Sequence, residues 1–383
     1  MSFFTYHAPT AIYSGRCCLE KMKATIADFG SRAFIITGKF SDGCPNLALE
    51  DIKRIYNELG VEYKVYDKVE ENPSVESIEA IASSLLTFDP QYIFAIGGGS
   101  ALDSAKAVNV LINFEPGSDA YKVFYGDKPC MGACSAGKLP MLAVPTTAGS
   151  GSDVMGFAIL TRSDTNTKLR IDQLSFFSAS FLDPDYISQS PEWLLEAGAL
   201  DALAHGIEGV LNTHTNDLSR LWNNYGFRLF KSFKDNLAGR CLTSEDYSNM
   251  LLAASVQGVG NMQCCTTIPH GLGYSLTHFK GVSHGFANML VMAEFLRTIN
   301  DSAAVDEVLR QCGFLDIDDF DEYIQKILRR NVAFIVTDAE LHAWAKECAA
   351  LTPRLEAHIQ PISEDEIYRI LRVSLEDYMI HHL

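Results

Sequence analysis

Four side chains in the second half of the chain have the chemistry to hold a divalent metal ion. Asp201 and His205 stand four residues apart in a helix predicted over 191–211, so they lie one turn apart on one face. His270 and His284 follow, the first just after a predicted helix and the second at the start of another. One carboxylate and three imidazoles combine a hard oxygen with borderline nitrogens. That set suits Fe2+ or Zn2+ and not Ca2+, which prefers oxygen throughout. Spacing alone leaves a second reading open, because Asp-x3-His is also a common helix-surface pair. Gly271, Gly273 and Gly285 beside the two histidines would permit close backbone approach, as they would in ordinary turns. His278 lies between the better candidates, as a pocket residue or a bystander.

A second kind of chemistry sits in the first half. Gly97-Gly98-Gly99-Ser100 joins a predicted strand to a predicted helix. Successive glycines let backbone N–H groups approach an anion, and a helix N-terminus adds positive potential. Asp103 falls in the first turn of that helix, where a carboxylate suits the dipole. Lys106 could orient an anionic ligand or pair with Asp103. The spacing is neither the GxGxxG fingerprint nor a P-loop, so a tight structural turn stays open. A second loop, Thr146-Thr147-Ala148-Gly149-Ser150-Gly151-Ser152, follows another strand and is crowded with hydroxyls. Two such loops beyond the carboxyl ends of parallel strands favour an extended, phosphate-bearing ligand.

The elements needed to position these groups are legible in the periodicity. Strands are predicted over 32–37, 61–66, 92–96 and 139–144, and helices over 47–59, 75–86 and 101–112. This βα alternation is the pattern of a doubly wound parallel sheet. Past Asp183-Pro184 the β-branched runs thin out. Helices are predicted there over 191–211, 219–233, 245–265, 284–299, 303–312, 320–328 and 364–379. The fold class is therefore α/β plus all-α, with an α/β domain over 1–184 and a helical domain over 185–383.

Composition narrows the functional classes. The 383 residues are 47% hydrophobic, which excludes a disordered chain. With 31 Lys and Arg against 48 Asp and Glu the net charge is −17, which argues against a nucleic-acid binder. The ten cysteines show neither a disulfide framework nor paired zinc spacing, and Cys130-x3-Cys134 lacks a second pair. Free thiols in a reducing, cytoplasmic compartment are expected. No secretory leader and no membrane span are expected either.

Five segments, taken in order, resemble the iron-dependent (group III) alcohol dehydrogenases. They are GGGSALDSAKAV (97–108), PTTAGSGSDV (145–154), FLDP (181–184), DALAHGIEG (201–209) and HGLGYSLTHFKGVSHGFAN (270–288). The layout matches over nearly the whole chain. The resemblance implies a Rossmann-like dinucleotide-binding domain followed by a helical metal-binding domain, the dehydroquinate synthase-like architecture. It implies a metal held by Asp201, His205, His270 and His284. It implies a pyrophosphate loop at Gly97, Gly98, Gly99 and Ser100, with Asp103 and Lys106 at its helix start. Thr146, Thr147 and Ser150 match the second cofactor loop, Leu182 the nicotinamide or ribose side, and Lys168 a lysine near the cofactor.

There are departures from the family pattern. Many members carry a second histidine where this chain has Tyr274, so His270, Tyr274 and His278 are the catalytic candidates, with proton relay open between the last two. The usual Thr and Glu of GTGSEV are Ser150 and Asp153 here. NAD-specific members carry an acidic residue after the strand ending in Thr37, and here Gly38-Lys39 follows. NADP(H) is therefore expected over NAD(H), although Gly38 could simply end the strand.

The implied activity is interconversion of a primary alcohol or diol and its aldehyde, on a small-molecule substrate, by a homodimer. Two other readings are an NAD-dependent, zinc-using polyol dehydrogenase and a non-catalytic metal- and nucleotide-binding protein.

Overall fold

A computed structural model describes residues 4–38, 45–125, 138–164, 167–171 and 174–379. The chain divides into two compact units, His7–Ser190 and Pro191–Leu383 with Met1–Tyr6. No helix among the described residues is long and apolar enough to cross a membrane.

Among the described residues the first unit holds eight strands: β1 (Ala11–Ser14), β2 (Arg32–Gly38), β3 (Glu62–Val69), β4 (Tyr92–Gly97), β5 (Met141–Pro145), β6 (Ala158–Arg162), β7 (Thr167–Ile171) and β8 (Ala179–Leu182). Six of them form one sheet in the order β1-β8-β5-β4-β2-β3, and every pairing in it is parallel. β6 and β7 make a separate antiparallel ribbon.

Side-chain alternation along the strands builds two cores, one on each face of the sheet. Phe34, Ile36, Ile93, Ala95, Met141 and Ala143 pack with Ile78, Ile81, Leu102 and Val108. Ala33, Ile35, Phe94, Ile96, Leu142 and Val144 pack with Ile52, Ile55 and Tyr56 on the other. The helices covering these faces start and stop on local signals. Asn46 Oδ1 accepts from Leu49 N at 3.0 Å, and Gly60 closes that helix at φ +69°. Ser74 Oγ caps the next one through Ser77 N at 3.2 Å.

The strands and helices expected in this unit are present, with ends moved by at most three residues. The edge strand β1, strand β8 and the β6–β7 ribbon are additions. β1 and β8 are only four residues each, too short to stand out as periodic runs. The seven described cysteines are free; Cys44, Cys130 and Cys134 lie outside the described residues.

The second unit is helical. The helices Glu192–Val210, Asp217–Gly239 and Ser244–Cys264 pack on one another, and capping boxes at Asn216, Thr243, Thr337 and Ser363 set four helix starts. Glu196, 1% exposed, fixes the first of these helices: it accepts from Arg240 Nε at 3.0 Å, Arg240 Nη2 at 3.1 Å and Asn331 Nδ2 at 2.5 Å. One expectation needs correcting, and one helix is an addition. The helix expected over 284–299 is two, His284–Leu290 and Met292–Arg297, separated at Val291 (φ −106°, ψ −5°). The apolar pattern runs on through this bend, since Phe286, Leu290, Phe295 and Leu296 are all buried, so periodicity does not register it. His270 follows the helix Ser244–Cys264 as expected, but it also lies in the first turn of a helix that was not expected, Ile268–Lys280. Pro269 reads as a breaker in sequence, yet the first turn of a helix tolerates proline because its N–H has no intrahelical partner there.

Candidate metal centre and cofactor loops

Three helices of the second unit bring the metal-type side chains together. Asp201 comes from Glu192–Val210, His270 from Ile268–Lys280, and His284 opens His284–Leu290. One ligand atom from each of Asp201, His270 and His284 lies within 4.8 Å of the other two. His270 Nε2 is 3.7 Å from Asp201 Oδ1, and His284 Nε2 is 3.9 Å from the same oxygen. Donors about 2.1 Å from a shared ion stand roughly 3.0–3.4 Å apart at tetrahedral or octahedral angles. The two observed spacings to Asp201 Oδ1 lie just beyond the tetrahedral end of this range, so the three side chains would draw in around an ion.

Two further observations test the fit of a metal. His270 Nε2 is buried and has no hydrogen-bond partner among the described residues, and it is the nitrogen that faces Asp201. A buried nitrogen without a partner is costly unless something occupies its lone pair. Burial also pushes the His270 imidazole well below its ordinary pKa, helped by His205 and His284, so the ring stays neutral and ligand-competent. The donor set of one carboxylate and imidazoles fits a divalent transition metal.

His205 lies beside this group rather than in it. Its ring stacks on that of His270 at 4.7 Å, and its Nδ1 is buried without a partner among the described residues. The side chain of His284 is 36% exposed, so the cluster is open on that side.

Gly285 explains the close approach. A Cβ there would run into the Ala197 carbonyl and come within 3.0 Å of Asp201 Cβ. The helix carrying His284 thus lies directly against the backbone of the helix carrying Asp201. Gly285→Ala should push the two apart. The expected loss is about 1–3 kcal/mol of stability, together with weakened metal uptake. Thermal melts and metal content check this; a variant with wild-type metal occupancy would show that the close approach is not required.

Three residues not singled out from the sequence contact this cluster or the tyrosine stacked on it. Glu208, fully buried, meets His270 Nδ1 through Oε1, and its Oε2 accepts from Thr267 N at 2.6 Å and Thr267 Oγ1 at 3.1 Å. Burial raises its carboxyl to about 7 against the opposing Thr267 hydrogen bond. Asn288 Nδ2 donates to Asp201 Oδ1 at 2.9 Å. Arg354 Nη2 donates to the Tyr274 hydroxyl at 2.8 Å. The available signal was helical register: Glu208 is seven residues after Asp201, and Asn288 is four after His284.

Tyr274 stacks flat on His284 at 5.5 Å, which places it against the cluster. His278 is exposed, packs edge-on against Phe279 at 4.6 Å, and lies outside the converging group.

In the α/β unit the two glycine- and hydroxyl-rich loops meet. Gly97 ends β4 at φ +150°, a conformation that favours glycine, and its carbonyl accepts from Thr146 N at 3.0 Å. A Cβ on Gly98 would meet Thr147 Oγ1 at 3.0 Å, and one on Gly99 would meet Ser150 at 3.2 Å. No side chain caps the Gly99–Leu111 helix, and Ser100 Oγ accepts from Asn72 N at 3.1 Å. Lys168, on β7, donates to Asn72 Oδ1 at 2.5 Å and to its cross-strand partner Thr161 at 3.2 Å. Burial lowers its ammonium to about 8, with Asp103 opposing. Leu182 ends β8 and is buried. Gly38 ends β2 in register with Val69, and Lys39 lies outside the described residues.

Asp103 and Lys106 take the second of the two readings open for them, pairing with each other. Lys106 is 1% exposed, and its ammonium donates to the carbonyls of Ser152 (3.1 Å), Met155 (3.2 Å) and Phe157 (2.6 Å) and pairs with Asp103 at 2.9 Å. Asp103 accepts from Ser152 Oγ at 2.5 Å and from Ile159 N at 2.9 Å. Both charges are engaged by the protein and brace the second loop from beneath.

Comparison with known proteins agrees with this arrangement. Residues 9–184 match the family model for iron-containing alcohol dehydrogenase. A crystal structure of an iron-containing alcohol dehydrogenase from Thermotoga maritima superposes with a TM-score of 0.84 at 28% identity, covering 98% of this chain and 100% of that one. The bifunctional aldehyde-alcohol dehydrogenase of Escherichia coli (strain K12) is 26% identical over 373 residues, 93% of this chain, and this chain spans only 40% of its length. The lactaldehyde reductase of the same strain is 26% identical over 268 residues, covering 70% of this chain and 68% of that protein. Parallel sheet, paired loops and a carboxylate–imidazole cluster on three helices thus occur together with these likenesses, and the chain resembles the iron-containing alcohol dehydrogenases in sequence over residues 9–184 and in fold over 98% of its length.

Proposed function

We propose that this protein interconverts a primary alcohol or diol and its aldehyde, using NADP(H) in preference to NAD(H) and Fe2+, with Zn2+ as the other ion the donor set accepts. The observation that carries this reading is the convergence of Asp201, His270 and His284, with the unpartnered Nε2 of His270 among the donors. The lactaldehyde reductase relative supports a small aldehyde as substrate class. The α/β unit, 1–184 in the sequence division, is read as the nucleotide domain, and 185–383 as the metal domain. A homodimer is part of the same proposal.

Once bound, the ion supplies Lewis acidity for the substrate oxygen and the nicotinamide supplies the hydride chemistry. The chain's own residues do the rest. Asp201, His270, His284 and, from the adjacent turn, His205 would hold the ion. Gly97, Gly98, Gly99 and Ser100, with Thr146, Thr147 and Ser150, would offer backbone and hydroxyl donors to the pyrophosphate. Lys168 and Leu182 would flank the cofactor. The Tyr274 hydroxyl accepts from Arg354, which leaves its own proton free to be directed at a substrate oxygen. His278, exposed one turn further on, is a weaker candidate for the same task.

The test is anaerobic kinetics across alcohols and aldehydes with both nicotinamides, run with Fe2+ and with Zn2+. Turnover undiminished in metal-stripped protein would end the proposal. A narrower prediction concerns the nucleotide. Gly38, the last residue of β2, brings no carboxylate of its own against a 2′-phosphate. Gly38→Asp should raise KM for NADP(H) at least tenfold more than for NAD(H), equivalent to about 1.4 kcal/mol of added repulsion. Equal shifts with the two cofactors would sink it; a Cβ at Gly38 would lie 3.1 Å from the Val69 carbonyl, so some common loss is expected in both.

A further inference from the structure

The metal reading above leaves one buried charge without a role. Glu208 sits two turns beyond Asp201 on the same helix and is fully buried. Both of its oxygens are engaged. Oε2 takes the Thr267 backbone N–H and hydroxyl, and Oε1 meets His270 Nδ1. A carboxylate held at both oxygens cannot swing away from the ring it touches. The two Thr267 donors on Oε2, and a cation once bound at Nε2, favour the ionised form of Glu208, which only accepts, so the contact then calls for the single N–H of a neutral imidazole on Nδ1. The lone pair then lies on Nε2, the atom that faces Asp201 and has no hydrogen-bond partner among the described residues.

We propose that Glu208 is the positioning residue of the metal centre: by accepting the Nδ1–H of His270 it fixes the tautomer and ring plane that present Nε2 to the ion. The inference rests on the proposed metal site and concerns how that site is held ready. A cation at Nε2 in turn favours the ionised carboxylate behind the ring. Thr267 has a matching part. It immediately precedes the Ile268–Lys280 helix, so its bonds to Glu208 tie the start of that helix to the helix carrying Asp201. The bland alternative is that Glu208 merely satisfies the Thr267 N–H and that its contact with His270 is incidental.

Glu208→Gln in the full chain separates the two. Fe2+ and Zn2+ affinity is measured by chelator competition, beside the melting temperature of the metal-free protein. Zn2+-loaded wild-type protein, 15N-labelled at histidine, is examined by long-range 1H–15N NMR, which tells a protected Nδ1–H from an Nε2–H and assigns it to His270 by a nuclear Overhauser contact to Thr267. The expected result is a protected Nδ1–H on His270 in the wild type, and metal binding about 10- to 100-fold weaker in Glu208→Gln. Wild-type affinity in Glu208→Gln, or His270 ligating through Nδ1, would overturn the role given to Glu208. If Glu208→Gln does not fold, the wild-type NMR signal decides alone. A wild-type protein that takes up neither ion would instead bring down the metal reading itself, and this inference with it.

Discussion

Replacing His270 by alanine should leave the protein nearly free of metal and lower kcat/KM for alcohol oxidation by roughly 1,000-fold, the equivalent of about 4 kcal/mol of transition-state stabilisation. The size follows from position. His270 stacks on His205, lies edge-on to His284 at 5.3 Å, and directs Nε2 toward Asp201, so it is the imidazole the others are arranged around. Its loss removes one ligand and also strips Glu208 of a hydrogen-bond partner inside the protein. A buried acceptor left short of a partner costs about 1–3 kcal/mol, so a modest fall in melting temperature should accompany the loss of metal. Metal content after anaerobic loading, steady-state kinetics and a thermal melt together check this. A His270→Ala protein that turns over at the wild-type rate while holding no metal would remove the basis for the proposed chemistry.

How far the sequence anticipates this site differs by element. The βα alternation was legible because each strand of a parallel sheet is a short apolar run and each covering helix has an apolar stripe. The helix Leu47–Leu59 has the bounds its periodicity and Gly60 predict. Asp201 and His205 were legible as a pair because both lie on one helix. Their meeting with His270 and His284 was not, since no local pattern encodes which helices cross. Only the resemblance pointed there, and glycines such as Gly285 mark the crossing without naming the partner. Glu208 was hidden in another way. A glutamate in a helix reads as a solvated face, and only tertiary packing shows that this face is turned inward.

The same blindness accounts for Lys106, and it makes a sharp prediction. Beside a glycine-rich loop a lysine reads equally as a contact for an anionic ligand and as a partner of Asp103, and sequence does not choose. Yet the Gly99–Leu111 helix is buried on every side from Ala101 to Leu111, so Asp103, Lys106 and Asn109 form a polar stripe, spaced by three, within the core. Each secures backbone rather than ligand. Asn109 Nδ2 donates to Leu139 O at 2.9 Å and its Oδ1 accepts from Leu139 N at 2.9 Å, while Lys106 holds three carbonyls of the 152–157 segment. Burial lowers the Lys106 ammonium and Asp103 resists that shift, as expected of a charge kept inside only by its partner. Lys106→Met should therefore act on stability. It removes the cation and leaves Asp103 as a buried charge with neutral donors only, a change worth about 3–5 kcal/mol. For a unit of this size that lowers the melting temperature by roughly 10 °C. Cofactor Kd, measured well below the transition, should change less than about threefold, because the ammonium is enclosed by protein acceptors and turned away from solvent. An unchanged melting temperature with a large rise in Kd would show instead that the amine reaches the phosphates.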